Sequence, residues 1–461
     1  MRLLSLSQLA RWADATLSGD DQVVSTIGID TRRLPPGAVY VALRGETFDG
    51  HDFCAEAEAR GARALLVERR VESALPQLVC ADTRLALGRI ATELAATRTT
   101  CVIGITGSNG KTTTRTLALD ILRQLDADAY SNPGNQNNEI GLPLALIEQP
   151  ETARFGIYEM GAGAPGDIAY LAQIARPRIS VVTNIASAHL ERMGSLTGIA
   201  DTKAAIYDIL PPEGTAVINA DDAFAPYFVK RAQGRQILRY GLDATADVRA
   251  ADVVEHDAGS HFLLHSPSGT EQITVPLPGR HQISNALAAA SIGLAAGASL
   301  QAVAQGLAGA KEIAGRQQVL DLPDGTRLLD DSYNANPGSM AAAIDTLVSQ
   351  AQRGGRQAWL ILGDMLELGP GAAVLHADVG RLARQSGVTG LFAVGEMSWH
   401  AVLAFGPGGE HFTSQAALLE RLHAREPGAV VMLVKGSRGS RMDQIVAALV
   451  NTKTQENGDA A

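Results

Sequence analysis

Aromatic residues make up only 4% of this 461-residue chain, so its cores must be assembled from Ala, Leu, Ile and Val. Cysteine is nearly absent. Cys54, Cys80 and Cys101 are odd in number and lack metal-ligand spacing, which points to a reducing compartment and a cytoplasmic protein. No apolar run approaches the ~20 residues of a membrane-spanning helix. The segment from Met1 to Ser18 interrupts its apolar residues with Arg and Asp, where a signal peptide has an unbroken apolar stretch. Long Lys/Arg runs are missing and the formal net charge is −10, which argues against nucleic acid as a partner. Gly-x-Ser-x-Gly, His-Glu-x-x-His and Cys-x-x-Cys patterns are missing too, which disfavours hydrolase and zinc chemistry. No repeat of solenoid period is evident.

What is present is a glycine-rich turn in a telling place. Cys101-Val102-Ile103 leads into Gly104-Ile105-Thr106-Gly107-Ser108-Asn109-Gly110-Lys111-Thr112-Thr113-Thr114. Leu117, Ile121, Leu122 and Leu125 then recur at helical spacing. The order is strand, turn, helix N-terminus, which aims backbone N–H groups and the positive end of a helix dipole at a polyphosphate. Lys111 would reach the outer phosphates and Thr112 would place a hydroxyl on Mg²⁺. Ile105 stands where the strict phosphate-loop pattern has Gly.

At 461 residues the size prior allows about three domains, and three blocks can be drawn at 1–98, 99–314 and 315–461. The first opens with an expected helix from Leu6 to Leu17 and holds strand-like runs at Val39–Leu43 and Ala64–Val67. Between the runs lies a polar loop with Arg44, Gly45, Asp49, Gly50 and His51, open to an anionic ligand or simply solvated. In the second block apolar strands end in polar groups at Glu159, at Asn184 before His189 and Glu191, and at Asn219-Ala220-Asp221-Asp222. Ligands of open α/β sheets bind at that edge, and a carboxylate there can hold Mg²⁺. The third block alternates strands and helices, so parallel pairing is expected. Its polar groups again follow strands: Asp331-Ser332-Tyr333-Asn334, Asp364, and Lys435-Gly436-Ser437-Arg438. The tail from Asn451 to Ala461 is polar and expected to be disordered. The residues alone thus describe a Mg-ATP-dependent enzyme of three α/β domains: a small mixed N-terminal one, a central phosphate-loop domain with a mostly parallel sheet, and a Rossmann-like C-terminal one.

From Asp30-Thr31-Arg32 to Lys435-Gly436-Ser437-Arg438, nearly the whole chain resembles the Mur ligase family, which builds the peptide stem of bacterial cell-wall precursors. The variant loop Thr-Gly-x-x-Gly-Lys-Thr-Thr of that family accounts for Ile105. Asn135–Gly141, Ala188–Glu191, Asp330–Pro337 and Leu362–Gly369 resemble the branch that joins D-alanyl-D-alanine to UDP-N-acetylmuramoyl-tripeptide, and no Asp-x-Asn-Pro-Arg motif of the sister ligase is found. The resemblance implies an ATP-dependent peptide ligase of peptidoglycan precursor synthesis, working through an acyl phosphate in the cytoplasm, as a monomer, with ATP and two Mg²⁺ ions. Through cell-wall biogenesis it would serve cell shape and division.

The resemblance also assigns residues. Gly107, Ser108, Asn109, Gly110, Lys111, Thr112 and Thr113 would hold the phosphates, with Thr112 on the first Mg²⁺. Glu159 and His189 match metal-contacting positions at the second, and Lys203 matches a carbamylated lysine; on the residues alone Lys203 reads as a surface lysine. Asn285, Arg316, Asp331, Tyr333 and Asn334 resemble nucleotide-contacting positions, and Asn219 an adenine contact. Asn137 and Asn138 resemble substrate-side residues. Thr31, Arg32, Arg44, Gly45 and His51 resemble the uridine-diphosphate region, and Lys435 and Arg438 read as anion contacts. Met193 departs from the pattern, where an aromatic is expected. Two other readings compete: a different Mur-type or folylpolyglutamate-like ligase, and a phosphate-loop ATPase acting as a switch.

Overall fold

Short runs of aliphatic and β-branched residues build three large sheets, and a two-stranded one of Leu4–Ser5 with Val23–Val24, in the computed structural model, which describes residues 1–187, 190–242, 245–424 and 429–456. The first sheet runs Thr16–Ser18, Gln77–Val79, Ala64–Val67, Val39–Val41, Ile27–Gly28, parallel except for its first pair. The expected helix from Leu6 to Leu17 is shorter than its pattern. Ser5 caps it by accepting from Gln8 N, and it ends at Ala13 because Asp14 turns left-handed at φ 54°. Leu17 then pairs as strand with Leu78.

The central sheet has nine strands, in the order Gly269–Val275, Gly259–Ser266, Val248–His256, Gln236–Gly241, Thr215–Asn219, Ile179–Val182, Cys101–Thr106, Phe155–Glu159, Tyr130–Ser131. Pairing is parallel from Val248–His256 through to Tyr130–Ser131. The two hairpin strands after it are antiparallel. The third sheet runs Gln318–Asp321, Arg327–Asp331, Val430–Lys435, Gln357–Gly363, Gly390–Val394, Gly409–Phe412, with only the first pair antiparallel. Parallel strands send all their C-terminal ends to one edge, so Thr106, Glu159 and Asn219 share one edge and Asp331, Gly363 and Lys435 another.

The chain is still strand at Ile105. That residue is fully buried and lies in register between Glu159 and Val181. The turn starts at Gly107, where a Cβ would run into the Thr183 hydroxyl. It closes at Gly110, whose φ of 77° and contact with Asn285 Oδ1 leave no room for a side chain. Helix Lys111–Leu122 follows.

First and central domains share one continuous apolar core, with Leu87, Ile90, Ala91 and Leu94 of helix Thr83–Ala96 beside Leu146, Leu171 and Ile174. The third domain is held by polar ties. Asp257, at the tip of a central hairpin, accepts from Arg327 at 2.9 Å and Arg353 at 3.0 Å. Asn336 Nδ2, at the cap of helix Pro337–Arg353, donates to Asn109 Oδ1 of the phosphate loop at 2.7 Å. The tail differs from expectation: helix Asp443–Glu456 runs past Asn451, because Ile445, Val446 and Leu449 anchor it on Leu418 and Leu422.

The placement of Ile105 carries a test. Ile105→Ala should destabilise the protein by about 2–5 kcal/mol, read as a lower thermal midpoint, with nucleotide affinity little changed. Lost nucleotide affinity at unchanged stability would put residue 105 in the phosphate turn instead.

Candidate functional site

A cleft of about 990 Å³ opens where the C-terminal strand ends of the central and third sheets face each other. Helix Thr83–Ala96 of the first domain closes one end through Arg84 and Leu85. Its cationic side chains, Arg84, Lys111, Arg192, Lys203, Arg316 and Lys435, outnumber its carboxylates, Glu139, Glu159, Asp167 and Asp331. In a chain of net charge −10 this is a local positive excess, of the kind that concentrates anionic ligands.

The loop sets the floor. Lys111 Nζ is wrapped by its own turn, donating to Gly107 O at 2.8 Å and Ser108 O at 3.2 Å. Withdrawal from solvent lowers its pKa, and the charge of Glu159 opposes that shift. Glu159, 3% exposed at the end of its strand, accepts from Thr112 Oγ1 at 2.7 Å and from Asn137 Nδ2 at 2.8 Å. Burial alone would raise its carboxyl; Lys111, Thr112, Arg115 and Asn137 outweigh burial and hold the group below the usual carboxylate range. Thr112 and Glu159 thus present adjacent hard oxygen donors of the type Mg²⁺ prefers. Among the described residues no group of three or more His, Cys, Asp or Glu side chains could cage a metal. An ion at Thr112 and Glu159 would therefore complete its shell from ligand phosphates and water, which is the habit of Mg²⁺.

Lys203 lies on helix Leu196–Asp208 and is 3% exposed, so the surface reading does not hold. Burial, then the charge of Lys111, push its amine down to about 7. Among the described residues it has neither an ion-pair nor a hydrogen-bond partner. Across the cleft Lys435 Nζ meets Asp331 Oδ2 at 2.6 Å and donates to Asn334 O at 2.8 Å. Lys435 lines the cleft with its charge already paired to a carboxylate, a partner the sequence reading did not name. Burial pushes the Asp331 carboxyl up, against the pull of Lys435. His281 beside them is lowered to about 4 by burial and by Lys435, so it is neutral at physiological pH. Arg316 stacks on Tyr333 at 4.2 Å, and Asn285 is oriented by donating to Gln282 Oε1 at 2.9 Å.

The cleft gathers Gly107 to Thr113, Asn137, Asn138, Glu159, Lys203, Asn285, Arg316, Asp331, Tyr333, Asn334 and Lys435. Asn138 also accepts from Gly141 N at 2.9 Å, fixing the next helix start. His189 lies outside the described residues. Asn219 stays out of the cleft lining: its amide donates to Thr183 O and accepts from Asp221 N. Arg438 also stays outside the lining, over the Tyr333 ring at 5.6 Å. The first-domain set stands apart from the cleft. His51 spends both ring nitrogens locally, Nδ1 on Asp49 at 2.5 Å and Nε2 accepting from Glu68 N at 2.9 Å. Thr31 is buried, Arg32 pairs with Asp30, Arg44 lies 3.7 Å from Asp49, and Gly45 N donates to Phe48 O.

Sequence reasoning passed over Arg84, Arg115, Asn132, Tyr170 and Gln282. Asn132-Pro133-Gly134 was a turn signal that could have drawn attention to Asn132; the others sit within ordinary helical patterns.

Known proteins match this arrangement. Family models fit residues 105–293 (Mur ligase middle domain), 315–438 (Mur ligase, glutamate ligase domain) and 23–93 (Mur ligase family, catalytic domain). The UDP-N-acetylmuramoyl-tripeptide–D-alanyl-D-alanine ligase of Escherichia coli K12 is 40% identical over 99% of each chain. Its namesake from Mycobacterium tuberculosis H37Rv is 34% identical over 98% of each. A crystal structure of MurF from Acinetobacter baumannii superposes with a TM-score of 0.92 at 32% identity, over 98% of this chain and 99% of that one. The MurF ligase of Thermotoga maritima in complex with ADP gives 0.84 at 26% identity, over 94% and 99%. With relatives this similar over their full length, the chain belongs to the Mur ligase family.

Proposed function

We propose that this protein is the ATP-dependent ligase that joins D-alanyl-D-alanine to UDP-N-acetylmuramoyl-tripeptide in peptidoglycan precursor synthesis. The observation that carries the reading is the cleft itself: a phosphate loop, the Thr112–Glu159 oxygen pair and a buried Lys203, without a partner among the described residues, on one wall, with the third domain as the other. A switch ATPase has no use for the second wall. ATP is a substrate here. Gly107 to Thr113 cradle its phosphates and Lys111 turns from its own carbonyls to the outer phosphates. Asn285, Arg316, Asp331, Tyr333 and Asn334 border the nucleotide. Asn137 and Asn138 face the tripeptide.

Thr112 would hold a first Mg²⁺, and Glu159 with His189 a second, near Lys203; ions bound there would neutralise phosphate charge. The terminal carboxylate of the tripeptide attacks the γ-phosphate and ADP leaves, which turns a poor acyl donor into an acyl phosphate. The neutral amine of the dipeptide then adds to the carbonyl carbon. The tetrahedral intermediate collapses to an amide, and phosphate and the amine proton depart. Closure of the third domain keeps water from the acyl phosphate, and the Asn109–Asn336 and Asp257 ties are contacts through which it closes. The same reading puts domain boundaries at 98/99 and 314/315, each between one sheet and the next. It places a monomer in the cytoplasm; no described helix is long and apolar enough to cross a membrane.

Lys203 carries a carbamate in this reading. A neutral amine adds to CO₂, forms an N–C bond and loses a proton, so a cation becomes an anion able to help organise Mg²⁺. An amine held at about 7 is neutral above that pH and protonated below it, so the carbamate is favoured at higher pH and lost as pH falls through that value.

Two outcomes follow. Phosphate release should require Mg-ATP, UDP-muramoyl-tripeptide and D-alanyl-D-alanine together and yield a UDP-pentapeptide by mass spectrometry; release indifferent to both peptide substrates would leave only an ATPase. Lys203→Ala should lose most activity and regain part of it with bicarbonate or a short carboxylic acid, and labelled bicarbonate should give a carbamate NMR signal that fades below about pH 7. Full activity in the alanine variant would remove the carbamate from the account.

A further inference from the structure

We propose that Arg115 is a positioning residue for this reaction: it ties the phosphate-loop helix to the Asn132–Asn138 segment and to Glu159, and so fixes the peptide substrate's carboxylate relative to the nucleotide. The inference rests on the ligase reading above.

Arg115 follows Lys111 by one helical turn, so both project from one face of helix Lys111–Leu122. Lys111 faces the cleft; Arg115 does not line it. Its side chain is 9% exposed and reaches the Asn132–Gly134 backbone. Nη1 donates to Asn132 O at 2.7 Å and to Gly134 O at 3.1 Å, and lies 3.8 Å from Glu159 Oε2. Asn132 in turn grips the Glu159 backbone from both sides: Glu159 N donates to Asn132 Oδ1 at 2.9 Å, and Asn132 Nδ2 donates to Glu159 O at 3.1 Å and Gln136 O at 2.8 Å. Asn137 reaches Glu159 Oε1, and Thr112 reaches Oε2. The contacts close a ring: helix, Arg115, the Asn132–Asn138 segment, Glu159, Thr112, and back to the helix.

Removing a guanidinium from water is costly, and a well-packed apolar side chain serves stability as well or better. A charge is retained here for what surrounds it. In this structure Lys111 and Arg115 both stabilise the Glu159 carboxylate. Once Lys111 turns to the phosphates, Arg115 stays in place as a protein cation beside Glu159. Two carbonyls and a carboxylate converge on Nη1, at the far end of the side chain, and the lysine ammonium, with donors enough, ends one bond short of that position. Arg115 touches neither nucleotide nor peptide, so its effect passes through Asn137, Asn138 and Glu159.

Arg115→Met, Arg115→Lys and Arg115→Ala test this. With Mg²⁺ and a non-hydrolysable ATP analogue present, Arg115→Met should weaken UDP-tripeptide binding about tenfold or more and lower kcat, while nucleotide affinity stays within about twofold. Arg115→Lys should recover kcat in part but keep the raised KM for the tripeptide. Free guanidinium ion should restore part of the tripeptide affinity of Arg115→Ala. Nucleotide and tripeptide affinity falling together, with no guanidinium rescue, would reduce Arg115 to a packing residue and overturn the proposal. So would unchanged tripeptide binding in Arg115→Lys, the variant that decides the matter if the other two fail to fold. Wild-type phosphate release indifferent to the peptide substrates would sink the ligase reading itself, an outcome separate from any variant result.

Discussion

Everything in the cleft is organised around one buried carboxylate. Glu159 sits at the end of a parallel strand, 3% exposed, and burial by itself would drive it to pick up a proton. It stays ionised because Lys111, Thr112, Arg115 and Asn137 all act on it. Each of those partners has a second task. Lys111 and Thr112 belong to the phosphate loop, Asn137 to the wall of the cleft, and Arg115 to the scaffold beneath. A change in Glu159 would therefore be felt in the nucleotide site, the peptide site and the backbone that joins them. That coupling suits a reaction in which a phosphate and a carboxylate must meet in one orientation.

The second constraint is charge. The cleft holds more cations than carboxylates, and its cations are of two kinds. Lys435 is already answered by Asp331 at 2.6 Å, and that pair braces the third domain's wall. Lys203 has no such partner among the described residues, and burial lowers its amine. The first is paired in place, and the second is the one to which the proposed carbamate chemistry falls. The third domain is attached differently from the first. A continuous apolar core joins the first domain to the central one, whereas Asp257 and the Asn109–Asn336 amides supply polar ties to the third. Polar ties can be broken and remade at small net cost, which suits the closure proposed for the third domain.

Local signals were legible in the sequence. Gly107, Gly110 and Lys111 announce the loop, and strands such as Ala64–Val67 and Val430–Lys435 fall where their apolar runs lie. Local pattern failed where a distant contact decides. The helix from Leu6 stops at Ala13 because Leu17 is drawn into a sheet with Leu78. The tail helix runs on past Asn451 because its first turns are anchored on Leu418 and Leu422. The antiparallel strands from Val248 to Val275 went unnoticed, since their half-exposed faces carry no apolar run. Lys435 read as a free anion contact because its partner is 104 residues away. Arg115 read as one polar residue on a helix because what distinguishes it, the carbonyls of Asn132 and Gly134, exists only once the chain is folded.

The central claim is that the cleft brings a peptide carboxylate onto the γ-phosphate before the amine arrives. The most direct test is to label the terminal carboxylate oxygens of UDP-muramoyl-tripeptide with heavy oxygen and follow the label during turnover with D-alanyl-D-alanine. An acyl phosphate requires one labelled oxygen to leave with each phosphate released. Phosphate released without the label, its new oxygen drawn from solvent water, would contradict the account, because the carboxylate would then never have been phosphorylated.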